Sequence, residues 1–206
     1  MRGVLPQVLN RSSKIQAAHA YDGEIIKTNL IYVAPPGQHL LLEEGRVCVT
    51  RGPKKNRFCP AIDPLFRSAA YVYGKRVLKV VLSGALDDGT TSGLWTIKQH
   101  GSLAILQDPS MSKSLRCLKT RFRRWRLMIP FLISEMADLL AHLSQEQIPE
   151  TSGVMMEETP ENEKLKVEIG IAAEDNAFER NIMKFGELTP YTCSDCHGVL
   201  LCVQRR

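Results

Sequence analysis

Two carboxylates stand directly after an apolar run of strand length. The run covers residues 77–82, and the glycine-containing turn at residues 83–89 carries Asp87 and Asp88. In an open parallel sheet, functional residues gather at the carboxyl ends of the strands, so both side chains are candidates for catalysis. The alternative is that one of them caps the helix predicted next, since aspartate is a preferred N-cap residue. Spacing alone leaves both interpretations open.

A pair of cysteines near the C-terminus is the second candidate site. Cys193 and Cys196, followed by His197 and a glycine, form half of a zinc-ribbon knuckle. Structural zinc takes four tetrahedral ligands, and two thiolates supply only two of them. Cys202 lies too near to act as the usual second pair, and His197 is poorly placed beside Cys196. We therefore predict that zinc binding is possible but that the site is incomplete.

One segment carries the positive charge of the chain, whose formal net charge is +5. Seven cations and no acidic residue lie between Asp108 and Glu135: Lys113, Arg116, Lys119, Arg121, Arg123, Arg124 and Arg126. Phe122 and Trp125 are interleaved with them, a pattern that suggests nucleic-acid binding. A plain solvated charge run is the alternative. In either case, these cations are predicted to stay in solvent, because burying an unpaired charge costs several kcal/mol. Residues 110–130 are therefore expected to make weak contacts and to be poorly ordered.

The elements that must position these residues alternate between strand and helix. We predict a helix over residues 4–16, a strand at 31–34, a hairpin over 39–50 and a helix opened by Asp63 as N-cap. Strands at 77–82 and 104–107 and a helix at 133–144 follow. This order predicts an α/β fold with a doubly wound, mostly parallel sheet.

Several motifs in this order and spacing resemble the chemotaxis methylesterase (CheB) family. They are residues 31–36 with His39, residues 56–57, residues 60–70, the turn at 83–89 and residues 107–109. The resemblance covers roughly residues 4–109 and resumes at 133–144. It implies hydrolysis of glutamate methyl esters, and glutamine deamidation, on chemoreceptors by a serine, a histidine and an aspartate, with no cofactor.

The resemblance assigns roles to two residues and leaves two roles unfilled. Asp88 matches the family's catalytic aspartate, and His39 matches a later histidine on the substrate side of the site. The serine, in a Gly-Ala-Ser-x-Gly-Gly turn, and the catalytic histidine belong to the first two strands, which we expect to be missing here. No serine of the chain has a glycine two residues away on both sides, as a nucleophile elbow requires. We therefore expect the chain to be inactive.

The basic segment also has an explanation at the level of the gene. Back-translation of residues 115–131, read from the third base of each codon, permits Ser-Met-Pro-Lys-Asn-Ala-Leu and, farther on, Val-Ala-Val-Asp-Asp-Ser-Val-Pro. Both resemble the family's sequence at this place, and residue 133 is again in the family frame. We therefore predict that residues 110–132 are out of frame.

The domain organisation follows from these observations. We predict a partial methylesterase domain at 1–145, an acidic linker at 146–165, and a helix with a truncated zinc-ribbon-like tail at 166–206. No apolar stretch reaches the ~20 residues of a membrane span, and the expected location is the cytoplasm. Chemoreceptors are the expected partners. A non-catalytic receptor-binding protein around His39 and Asp88 and a basic nucleic-acid-binding protein remain the alternatives.

Overall fold

A computed structural model describes seven parts of the chain: residues 3–55, 58–82, 102–107, 128–148, 159–173, 186–192 and 199–202. Its strands pair in parallel in two sheets, one of residues 16–19 and 30–33 and one of residues 78–81, 103–107 and 128–131. They pair antiparallel in two hairpins, residues 39–43 with 46–50 and residues 187–192 with 199–202. Parallel strands with intervening helices confirm the predicted α/β class. No helix in the described ranges has the length and apolar character to cross a membrane.

The N-terminal part consists of one helix and two parallel strands. Helix α1, Leu5–Ser12, is followed by β1, Gln16–His19, which pairs with β2, Leu30–Val33. The predicted helix ran to residue 16 and was therefore too long. Asn10 explains the early end, because its side chain accepts from the Ala17 N–H (2.6 Å) and donates to the Ala17 carbonyl (2.9 Å), which fixes an extended strand against α1.

The predicted hairpin is confirmed. Strand β3, His39–Glu43, pairs with β4, Arg46–Thr50, and Gly45 takes the positive φ of +69° that the turn requires. The inward-facing side chains of this hairpin form the main apolar cluster with Ala20. Its members are Ala20, Leu40, Val47 and Val49, with Ile26, Tyr32, Ala34, Leu42 and Leu65 packed around them.

Helix α2, Ile62–Tyr73, packs on β3 and is attached to the hairpin by hydroxyl groups. The buried Ser68 hydroxyl accepts from the Leu42 N–H (3.0 Å), and the Tyr73 hydroxyl accepts from the Gly45 N–H (3.0 Å). Helix–hairpin contacts therefore include specific polar bonds as well as apolar packing.

The predicted N-cap role of Asp63 is wrong. The helix begins at Ile62, Ala61 occupies the cap position without a side-chain hydrogen bond, and Asp63 lies inside the first turn. Its carboxylate instead pairs with Arg67 one turn later, Nε to Oδ2 at 2.8 Å. A carboxylate in the first turn still favours the helix, because the N-terminal end of the helix dipole is positive.

A three-stranded parallel sheet follows a single 3₁₀ turn at Gly74–Arg76. Strand β5, Leu78–Val81, pairs with β6, Leu103–Gln107, which pairs with β7, Met128–Phe131. The strands predicted at 77–82 and 104–107 are confirmed. Helix α3, Ile133–Gln145, confirms the helix predicted at 133–144.

Strand β7 corrects one expectation about the basic segment. Its residues 128–130 belong to the range 110–130, which was expected to make weak contacts, yet they pair with β6. The sequence Met-Ile-Pro-Phe explains this, because all seven cations lie upstream of it and an apolar tetrapeptide can join a sheet. The cations themselves lie outside the described residues.

The predicted linker at 146–165 contains the start of a helix. Helix α4, Pro160–Ala172, begins inside that range, with the Thr159 hydroxyl accepting from the Asn162 N–H and proline in the first turn. The acidic and proline residues that suggested a linker are thus helix-start signals here. Two further strands, β8 at Glu187–Thr192 and β9 at Val199–Cys202, complete the described structure.

The interior contains a lysine. Lys79 of β5 is 2% exposed, its Nζ lies 5.3 Å from the centre of the Phe66 ring, and it has no hydrogen-bond partner within the described ranges. Burial lowers the pKa of Lys79 from 10.5 to about 7, partly offset by the nearby Asp63 carboxylate. Because the buried amine loses its hydration, Lys79 lowers the free energy of unfolding at neutral pH.

We predict that Lys79→Met stabilises the protein and changes its pH dependence. Because the folded pKa of about 7 is below the unfolded value of 10.5, the unfolded chain binds more protons between these pH values. Wild-type stability should rise from pH 7 to 10.5 and be insensitive to this group below pH 7. In the variant this rise should disappear, and stability at pH 7 should increase by roughly 2–4 kcal/mol.

Urea denaturation across this pH range measures the effect. The exposed Lys75 on the neighbouring 3₁₀ turn provides the matched control, since Lys75→Met removes an equal charge from the surface. A loss of stability in Lys79→Met at pH 7 would contradict the buried position of the amine.

Candidate functional site

His39 connects three consecutive parts of the fold. It is the first residue of β3, its side chain is fully buried, and both ring nitrogens are engaged. Nδ1 accepts from the Ala61 N–H (3.2 Å), and Nε2 contacts the Pro53 carbonyl (3.1 Å). Since a carbonyl can only accept, Nε2 must donate, which fixes the neutral tautomer with its proton on Nε2.

The electrostatic surroundings keep this imidazole neutral. Burial lowers the pKa of His39 below 6.5, the bond to the Pro53 carbonyl opposes this change, and the cationic Lys55 adds to it. Protonation of Nδ1 would also break the bond from Ala61. A general base needs a free lone pair, so His39 cannot serve as one in this arrangement.

The role that the arrangement supports directly is structural. His39 holds both ends of the loop at residues 51–61, which joins β4 to α2 and whose residues 56 and 57 lie outside the described ranges. We refer to residues 51–61 as the β4–α2 loop. A contact between the His39 side chain and a substrate stays a prediction, whereas the positioning of this loop follows from the two hydrogen bonds.

A group of charged residues lies beside the start of α2. Arg67 pairs with Asp63 on its own helix and with Glu168 on α4. The amine of Lys79 lies near enough to Asp63 for the carboxylate to oppose the lowering of its pKa. Sequence reasoning missed this group, although the four-residue spacing of Asp63 and Arg67 was a usable signal.

Asp87 and Asp88 lie outside the described residues. The last described residue before them is Leu82, which follows β5 and is 51% exposed. Because β5 pairs in parallel with β6, the turn that carries the two carboxylates follows the carboxyl end of a parallel strand. That is the location expected for a functional turn, and the catalytic role of Asp88 stays a prediction.

Cys193 and Cys196 also lie outside the described residues, between β8 and β9. These strands pair antiparallel, with Thr192 opposite Val199. Among the residues that the structure describes, no group of three or more histidine, cysteine, aspartate or glutamate side chains could hold a metal ion. Zinc binding by the two cysteines therefore stays a prediction.

We predict a graded loss of stability for substitutions of His39. His39→Phe should cost about 1–3 kcal/mol, because it leaves the N–H of the buried Ala61 without its partner and also removes the bond to the carbonyl of the exposed Pro53. His39→Gln can still donate near the Nε2 position and His39→Asn can still accept near the Nδ1 position, so each should cost less. Chemical denaturation at pH 7.5 measures the series.

The wild-type protein should also lose stability as the pH falls below 6.5. The unfolded histidine then binds a proton that the folded His39, with its lowered pKa, resists. The control is His142→Phe, because the His142 side chain on α3 is 77% exposed and should contribute little. Equal effects at both positions would rule out a structural role for His39.

Comparison with known proteins agrees with the fold. The sequence model of the CheB methylesterase family matches residues 1–116. The catalytic domain of the Thermotoga maritima CheB methylesterase is similar in structure, with a TM-score of 0.58 and 26% identity, over 68% of this chain and 75% of that domain.

Curated relatives lead to the same family. A putative protein-glutamate methylesterase/protein-glutamine glutaminase of Leptospira interrogans is 32% identical over 143 residues, which cover 69% of this chain and 74% of that protein. A protein-glutamate methylesterase/protein-glutamine glutaminase of Rhodospirillum rubrum is 37% identical over 117 residues, covering 52% of this chain and 29% of that protein. With a family match over more than half of its length, the chain belongs to the CheB methylesterase family.

Proposed function

We propose that this chain is a protein-glutamate methylesterase by descent, that its partners are chemoreceptors, and that the 206 residues alone do not hydrolyse the ester. The observation that supports the descent is the match over residues 1–116, which includes the turn with Asp88. In the proposed reaction, a serine attacks the ester carbonyl, methanol leaves and water releases the glutamate. Asp88 would orient the histidine that takes the serine proton.

The absence of activity follows from the residues available. No serine of the 206 residues stands in a nucleophile elbow. His39 is buried, neutral and hydrogen-bonded at both nitrogens, so it cannot replace the missing base. An orienting aspartate alone contributes no nucleophile, since its role is exerted through the histidine.

We predict that the purified chain releases no methanol from methylated chemoreceptor above the buffer background. The Thermotoga maritima CheB catalytic domain provides the positive control, and Asp88→Asn provides the matched variant. Turnover by the wild-type chain that Asp88→Asn abolishes would show that a nucleophile and a base are present after all. Receptor capture without turnover would favour the non-catalytic binding role.

We further propose that residues 110–132 result from a shifted reading frame. The seven cations of this range precede an apolar tetrapeptide that joins the sheet as β7, and they exceed what the sheet could bury. The coding DNA around codons 109–133 is the direct test of the frame. Nucleic-acid binding, the alternative function, depends on the same cations. The frameshift and nucleic-acid binding can therefore be tested together.

We predict that restoring the frame stabilises the protein. Replacement of residues 115–121 by Ser-Met-Pro-Lys-Asn-Ala-Leu and of 124–131 by Val-Ala-Val-Asp-Asp-Ser-Val-Pro should raise Tm by about 4–8 °C, which corresponds to roughly 2 kcal/mol for a domain of this size. A control variant with the seven cations changed to glutamine separates the effect of charge from that of frame. Lower stability of the replaced segment, or salt-resistant binding of one DNA sequence by the wild type, would overturn the proposal.

A further inference from the structure

The C-terminal end of α4 contacts the chain directly after β4. The Thr50 hydroxyl donates to the Ala172 carbonyl at 2.6 Å, although 122 residues separate them. The last carbonyls of a helix have no partner within the helix, so Thr50 satisfies a group that would otherwise be left unpaired. Ala172 is 1% exposed, and the helix end is therefore buried against the domain.

Gly52 makes this close approach possible. A Cβ placed on Gly52 would lie 2.3 Å from the Ala172 oxygen and 2.9 Å from its carbonyl carbon. Both of these are backbone atoms, so a larger residue would require α4 or the β4–α2 loop to move. Glycine is thus required here for space rather than for an unusual backbone angle.

A second contact joins α4 to α2. Glu168 lies one turn before Ala172, so the two residues share a face of the helix, and Glu168 pairs with Arg67. Leu165 belongs to the same side and is 6% exposed. Helix α4 is therefore attached at Thr50 and Gly52, where the β4–α2 loop begins, and at Arg67 in the second turn of α2.

The same loop is held by His39. Pro53, whose carbonyl accepts from His39 Nε2, directly follows Gly52, and Ala61, which donates to Nδ1, directly precedes α2. Any displacement of Gly52 by α4 is transmitted through one peptide bond to Pro53. The tail helix and the buried imidazole therefore act on the same short stretch of backbone.

We propose that α4 is a positioning element for the substrate side of the site, and that Thr50 and Gly52 are the positioning residues through which it holds the β4–α2 loop and the His39 ring. That this loop lies on the substrate side rests on the proposed function. The coupling between α4 and His39 does not, because it depends only on contacts within the chain. Release of α4 would loosen the loop around His39.

The test measures α4 and His39 separately in the full chain. Gly52→Ala should push α4 away and raise hydrogen exchange of the amides at residues 160–172 at least tenfold. The ¹⁵N chemical shifts of the two His39 ring nitrogens differ when one neutral tautomer dominates. In the same variant these two shifts should move toward a common average. His39→Gln identifies the resonances.

Two variants of Thr50 are less disruptive than Gly52→Ala and keep the proposal testable if Gly52→Ala does not fold. Thr50→Val removes only the hydroxyl donor and should shift both readouts in the same direction, whereas Thr50→Ser keeps the donor and should restore them. Lys166→Gln on the exposed side of α4 is the matched control and should change neither.

Two results would overturn the proposal. In the first, exchange in α4 rises but the His39 ring signals stay as in the wild type, so the helix does not position the loop. In the second, Gly52→Ala and Thr50→Val leave α4 exchange unchanged, so the contact constrains nothing. Neither result bears on methanol release, and therefore failure of the proposed function and failure of this coupling are distinguishable.

Discussion

The two hydrogen bonds of the His39 imidazole are the constraint on which the position of the β4–α2 loop depends. A buried donor or acceptor without a partner costs about 1–3 kcal/mol, so the fully buried His39 ring requires both the Pro53 carbonyl and the Ala61 N–H. One ring thereby fixes the start of β3 relative to both ends of the β4–α2 loop. It can do so only as the neutral Nε2-protonated tautomer, and burial favours that form over the charged one.

Helix α2, which follows the β4–α2 loop, connects it to the hairpin, to α4 and to β5. Ser68 and Tyr73 attach it to the hairpin, Arg67 attaches it to α4, and the Phe66 ring lies beside the buried Lys79 of β5. The contacts of Ser68, Tyr73 and Arg67 are polar, although the helix also packs on an apolar cluster. Polar bonds are directional, so they determine the position of α2 more narrowly than apolar packing alone would. Lys79 is the exception, because within the described ranges its amine has no hydrogen-bond partner to offset the loss of hydration.

The sequence predicted elements with strong local signals and missed features that depend on distant partners. The hairpin, strands β5 and β6 and helix α3 were predicted because turn glycine, continuous apolar runs and helical spacing are local properties. The predicted helix ran four residues too far, to Gln16, and strand β1 was not predicted, because the bonds between the Asn10 side chain and the Ala17 backbone are not visible in the sequence. The start of α4 was interpreted as linker, since acidic and proline residues are as typical of a helix start as of a loop.

In the candidate site, too, local signals were found in the sequence and contacts with distant residues were missed. His39 was found through a motif, but its two hydrogen bonds are not visible in the sequence, and they add a structural role to the predicted substrate contact. The space requirement at Gly52 comes from a helix more than a hundred residues away. No local pattern could have predicted it, because a glycine in a loop usually indicates a turn rather than a close approach.

These contacts separate the framework of the site from its chemistry. His39, Thr50 and Gly52 act through bonds and packing that stabilise the folded chain whether or not an ester is bound. Ester hydrolysis requires a nucleophile and a base with a free lone pair, and His39 uses both of its nitrogens for folding. The contacts of this framework join only His39, Thr50, Gly52, Pro53, Ala61 and Ala172. Receptor binding therefore has to be measured separately from catalysis.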